Sequence, residues 1–128
     1  MVGVDINDKL LSKGIKNGFI RIIRFDLTKK LQIDKEYDLA ITCNTLHHIP
    51  LNKKQIFLEN MRRVSKKYVW IMEKIYPFEL GAYVLDKDSL ERLVDNVFHG
   101  YRITYLVLRS SHLVFDNFIA FVDLTQKL

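Results

Sequence analysis

The stretch Tyr37–Pro50, "YDLAITCNTLHHIP", carries the most fold information in this chain. Its first seven residues read as a strand. The continuous apolar centre Leu39-Ala40-Ile41 predicts burial on both faces, as in a parallel sheet. The segment after Cys43 is polar and turn-like, and Pro50 stops it. In open α/β sheets, ligands bind beyond the carboxyl ends of the strands. Asn44, Thr45, His47 and His48 are therefore candidate ligand-side residues. Either histidine could act as a general base near neutral pH. The competing reading packs one histidine under the sheet and leaves the other in solvent. Cys43, inside the strand, reads as an inert small hydrophobe.

Downstream, Lys53 to Ser65 is predicted helical, with Ile56, Phe57, Met61 and Val64 facing inward. Tyr68 to Met72 reads as a strand ending near Glu73. Glu73 and Tyr76 would line the same crevice, against the simpler reading of polar punctuation at a strand end. Asp88 to Phe98 has capping-box spacing at Asp88 and Glu91 and an apolar stripe of Leu90, Leu93, Val94 and Val97. Gly100 ends it. Arg102–Arg109 and Phe118–Leu124 are two further strands, joined by a loop from Ser110 to Asn117. With no helix between them, they should be antiparallel neighbours.

Upstream, Val2 to Ile6 is a short buried strand ending at Asp5 and Ile6. Asn7 and Asp8 are cap residues for a helix over Asp8–Asn17, which carries Leu10, Leu11 and Ile15. Asn17-Gly18 closes that helix. Phe19 to Phe25 is a second strand, placed at a sheet edge by Arg21 and Arg24. Asp26 ends it. The order β-α-β-β-α-β-α-β-β predicts one domain over residues 1–128: a three-layer α/β sheet, mostly parallel, closed by an antiparallel hairpin.

Composition fits a globular domain of ordinary size. A single cysteine excludes an internal disulfide and suits a reducing compartment. No apolar run approaches a membrane span, and Asp5 and Asp8 stand where a signal peptide would be basic, so a cytoplasmic location is expected. Twenty Lys and Arg against fifteen Asp and Glu make the chain mildly basic. The basic residues lie in scattered doublets (Lys29-Lys30, Lys53-Lys54, Arg62-Arg63, Lys66-Lys67), of which Arg62-Arg63 and Lys66-Lys67 are most simply a solvated helix face. Nucleic-acid binding favours a dense stripe with interleaved aromatics and ranks last among the readings. Tyr83, Tyr101 and Tyr105 read as core or rim aromatics. No Cys or acid stands at metal-site spacing from the adjacent histidines, and no metal is assigned.

Four stretches together resemble the class I S-adenosylmethionine-dependent methyltransferases, in the branch acting on small molecules. "VGVDIN" is similar to their second strand, whose terminal acid holds the cofactor ribose. "IRFDL" resembles the third strand and the acid near the adenine. "YDLAITCNTLHHIP" is similar to the fourth strand and the segment after it. "MRRVSKKYVWIMEKI" resembles the next helix and fifth strand, with Ser65-Lys66-Lys67 in place of the usual Pro-Gly-Gly turn. The resemblance implies a Rossmann-like fold and S-adenosylmethionine as cofactor. It implies Asp5 and Ile6 at the ribose, Asp26 and Leu27 at the adenine, Asn44 beside the cofactor, and His47, His48 and Glu73 toward the substrate. The competing readings make Asp5 a helix cap and Asp26 a solvated strand end.

One departure matters. The family's first strand, glycine-rich turn and first helix precede "VGVDIN", and none of the five glycines here forms a G-x-G cluster. The domain is therefore expected to be truncated, with cofactor binding impaired. In the family's sheet the missing strand is central. Removing it leaves two rows of backbone groups to be satisfied. Three solutions are open: Val2–Ile6 pairs directly with Leu39–Cys43; a second copy or another protein supplies the strand; or upstream residues do. The first is preferred because it keeps one closed sheet. Two functions are compatible with this pattern: methyl transfer to an unknown acceptor, or a non-catalytic scaffold that dimerises or pairs with a partner.

Overall fold

In a computed structural model, the described residues are 2–5, 9, 21–32, 36–75, 83–109 and 115–128. Six strands and two α-helices lie within them: β1 (Val2–Asp5), β2 (Arg21–Arg24), β3 (Tyr37–Cys43), α1 (Lys54–Val64), β4 (Ser65–Ile75), α2 (Lys87–Val97), β5 (Tyr101–Leu108) and β6 (Asp116–Lys127). Short 3-10 turns cover Leu46–His48 and Leu51–Lys53. The expected helix over Asp8–Asn17, apart from Lys9, lies outside the described residues, as do Ile6 and Tyr76.

The strands form two sheets. β1 and β2 pair in parallel, Val4 opposite Ile23 and Asp5 opposite Arg24. The other sheet runs β3-β4-β6-β5. β3 and β4 are parallel, whereas β4–β6 and β5–β6 are antiparallel. The hairpin is as expected. A mostly parallel sheet is not, because β6 inserts between β4 and β5 and makes half of the strand pairings antiparallel. The preferred closure also fails: β1 and β3 belong to different sheets and are not hydrogen-bonded neighbours.

The core lies on one face of the larger sheet. Phe57, Leu58 and Met61 of α1 and Leu90, Val94 and Val97 of α2 pack on Val69, Ile71, Phe118, Ala120 and Val122. Each of these side chains other than Ala120 contributes about 1.5–3 kcal/mol by leaving water. Leu58, absent from the predicted stripe, is fully buried. Both described helices sit on this face, so the expected third layer is not seen among the described residues.

On the opposite face Ile41 stands beside Trp70, and Trp70 beside Phe121. Ile41 is 62% exposed and Leu39 43%, which corrects the expectation that β3 is covered on both sides. Only Ala40 and Thr42, pointing to the helices, are buried. Cys43 is exposed rather than packed.

Two boundaries move. β4 begins at Ser65, directly after α1, with backbone angles already extended. The Ser65 hydroxyl donates to the carbonyl oxygen of Tyr68 at 2.5 Å and helps make this abrupt exit. Lys66-Lys67 thus belongs to a strand, not to a helix face. In α2 the cap is Asp86, whose carboxylate accepts the Ser89 N–H at 2.7 Å. Asp88 falls inside the first turn, and Glu91 instead pairs with Lys87 at 2.9 Å. Gly100 comes next with φ +80°, a conformation that favours glycine.

Candidate functional site

The parallel pair β3–β4 brings its carboxyl ends together. At the end of β3, Asn44 takes φ +53°, a left-handed conformation that asparagine tolerates better than most residues. Its N–H donates to the Met72 carbonyl at 2.8 Å, which extends the ladder one step and turns the chain across the end of β4. The Leu46–His48 turn is next, with the side chain of Leu46 fully buried.

Glu73, near the carboxyl end of β4, is 2% exposed. A buried carboxylate is costly unless its oxygens find donors. Here Oε2 accepts the Leu46 N–H at 2.8 Å and Oε1 lies 2.5 Å from Nδ1 of His47. Lys54, the first residue of α1, is 1% exposed and donates through Nζ to the Leu46 carbonyl. Burial pulls the Lys54 ammonium down to about 8, while the Glu73 charge acts in the opposite direction. One turn is thus held at both backbone groups of Leu46 by a buried acid and a buried base. His47 is half-buried with Nδ1 committed to Glu73. His48 is exposed, its ring 3.9 Å from that of His47. The competing reading of these histidines therefore holds for His48 alone. Asn44 Oδ1 is buried and meets no hydrogen-bond donor among the described residues.

Asp26 and Leu27 form a separate group. The Asp26 carboxylate accepts the Thr28 N–H at 3.0 Å and the Thr28 hydroxyl at 2.6 Å. These bonds hold its carboxyl below the usual range, with Lys29 and Lys53 assisting. The segment after β2 is tied to α1 by Asn60, which accepts the Leu31 N–H at 2.9 Å and donates to the carbonyls of Leu27 and Lys29. Among the described residues, no hydrogen bond joins Asp26 or Leu27 to the Asn44–Glu73 group. Asp5 closes β1. A shallow groove lined by Arg62, Arg63, His99 and Lys127 contains none of these residues.

Sequence reasoning placed Asn44, His47 and Glu73 correctly at one sheet end. It missed Lys54, read only as half of a scattered basic doublet. The signal was present: Lys54 precedes Phe57, Leu58 and Met61 by three, four and seven residues, so it shares their buried stripe. Asn60 lay in the same helix and was likewise unremarked.

The family model described as a methyltransferase domain matches residues 1–72, more than half of the sequence. The chain belongs to that methyltransferase-domain family. Solved structures agree on the fold. A protein from Pyrococcus horikoshii superposes with a TM-score of 0.71 at 16% identity, covering 96% of this chain and 70% of that one. A SAM-dependent methyltransferase from Aquifex aeolicus gives 0.67 at 18% identity, covering 95% and 67%. Magnesium protoporphyrin IX methyltransferase from Synechocystis, solved with bound SAM, gives 0.67 at 15%, covering 94% and 58%. None of the curated proteins matches the chain.

Proposed function

We propose that this domain binds S-adenosylmethionine and takes part in methyl transfer. The observation that carries the proposal is the orphaned Asn44 Oδ1 at the carboxyl end of β3. A buried acceptor without a donor is costly, and an amino or hydroxyl group of a bound cofactor would satisfy it. Asp5 and Ile6 would hold the cofactor's ribose, Asp26 and Leu27 its adenine, and His47, His48 and Glu73 would face the methyl acceptor. Bound S-adenosylmethionine supplies an electrophilic methyl group on a sulfonium. The protein's work is then mainly alignment. A cytoplasmic setting fits the lone, exposed Cys43.

The alternative is a non-catalytic methyltransferase-fold module. Among the described residues β1 pairs with β2 alone and β3 with β4 alone, which favours it, together with the lack of a G-x-G cluster in the sequence. In either reading a strand between β1 and β3 would complete the sheet that the resemblance implies. Such a strand must offer both of its edges. Each strand described here already has at least one edge paired, so the described strands of a second copy offer only one. The occupant we favour is a partner protein that contributes an extended segment.

Calorimetric titration with S-adenosylmethionine tests the reading, with Asp5→Ala alongside. Micromolar binding by the wild type and a loss above about 1 kcal/mol in the variant, the scale of one hydrogen bond, supports the cofactor site. No binding at millimolar ligand supports the scaffold.

A further inference from the structure

We infer that His47, oriented by Glu73, is the proton acceptor of this site and that the methyl acceptor it serves is a hydroxyl group. The inference deepens the methyl-transfer reading and rests on it.

Two histidines share the segment, and the structure separates them. Only His47 has a ring nitrogen committed to a carboxylate, with Nδ1 2.5 Å from Glu73 Oε1. In the neutral imidazole one nitrogen donates and the other accepts. An ionised carboxylate accepts only, so Nδ1 carries the proton and Nε2 keeps its lone pair. The ring is half-buried, and its Nδ1 meets the buried Glu73 carboxylate.

The support for this geometry is unusually dense for a surface turn. Glu73 also takes the Leu46 N–H, and Lys54 takes the Leu46 carbonyl, so the residue before His47 is fixed on both sides. Lys54 brings a positive charge close to a buried negative one. It is a positioning residue: it touches the turn, not the reacting atoms. A strand end with ordinary polar punctuation needs no buried acid, no buried base and no committed imidazole.

The chemistry selects the substrate class. A thiolate, a carboxylate or a neutral amine already presents a lone pair and needs no base to attack. A hydroxyl must shed its proton as it attacks. The O–H proton passes to Nε2 of His47, and the oxygen pair forms the O–CH3 bond. The methyl–sulfur bond breaks with its electrons left on sulfur. Positioned bases of this kind contribute about 100- to 10,000-fold.

Nitrogen-15 spectra of histidine side chains in the labelled 128-residue chain test the orientation without a substrate. At a pH where the ring is neutral, His47 should show one tautomer, protonated at Nδ1. Glu73→Gln should release it toward the mixture of free imidazole. Lys54→Met should loosen it partially, and Lys54→Arg should restore it. An Nε2-protonated His47 in the wild type, or equal tautomer behaviour in His47 and His48, overturns the assignment. With p-cresol and p-thiocresol as probes, His47→Asn should slow methylation of the hydroxyl at least 100-fold more than that of the thiol. Equal losses on both overturn the hydroxyl assignment. Calorimetry with S-adenosylmethionine separates the two levels. A correct tautomer without cofactor binding sinks the methyl-transfer reading. Cofactor binding with the wrong tautomer sinks only this inference.

Discussion

Asn60 of α1 accepts the backbone N–H of Leu31 at 2.9 Å, across twenty-nine residues of chain. Its amide nitrogen donates to the Leu27 and Lys29 carbonyls at 2.9 and 2.8 Å. One buried side chain thus satisfies three backbone groups of the segment after β2 and fastens it to the helix that packs on the larger sheet. Asn60→Leu leaves those groups without partners. We expect a loss of roughly 2–4 kcal/mol. Urea unfolding measures the loss, and limited trypsin digestion should show faster cutting at Lys29-Lys30. An unchanged midpoint would show that water replaces the amide without penalty.

Lys54 makes stability rise with pH. Its folded value is about 8, against an ordinary 10.5. Between these the unfolded chain holds more protons than the folded one, so deprotonation favours folding as pH increases. The wild type should gain on the order of 2 kcal/mol from pH 8 to 10.5. Lys54→Met should lack that slope. Denaturation midpoints across this window decide it; parallel slopes in the two proteins would rule out a buried ammonium.

Asp26 behaves in the opposite sense. Thr28 donates twice to its carboxylate and holds it ionised below the ordinary 3.8. Its contribution is present above 3.8 and disappears as acid protonates the folded form. Thr28→Val removes the hydroxyl donor, and the Asp26 carboxyl should then titrate at higher pH. Carbon-13 titration of the side-chain carboxyl reads this directly, and an unmoved midpoint would show that the backbone N–H suffices.

Gly100 sits at φ +80° with no atom within 4 Å of the position a Cβ would take. The cost of Gly100→Ala is therefore backbone strain without a clash, about 1–2 kcal/mol. Gly100→Asn should cost less. Thermal melts of the two variants give the comparison, and equal losses would contradict it.

Ile41 is mostly in water on a strand whose next residues toward the helices are buried. Ile41→Ser should shift stability by less than about 0.5 kcal/mol, the range for exposed positions. Thr42→Ile, which replaces a buried hydroxyl without a described hydrogen-bond partner, should be neutral or stabilising. A large loss at Ile41 would mean that its face of the sheet is covered.

The sequence by itself determined the elements that local physics controls. The apolar stripe fixed α2, and the direct connection of two strands without a helix fixed the β5–β6 hairpin as antiparallel. The strand-then-turn pattern placed Asn44, His47 and Glu73 at one end of the sheet. Pairing between distant segments was not legible. β6 lies between β4 and β5, and β1 stays apart from β3, because edge choice depends on which long-range contacts bury most surface. The apolar run of β3 could not reveal that one of its faces remains exposed: hydrophobicity records what could be buried, not what covers it. The buried charges were equally hidden. Glu73 and Lys54 look like surface residues in one dimension, and only the fold brings each to the backbone of Leu46, where hydrogen bonds offset the cost of their burial.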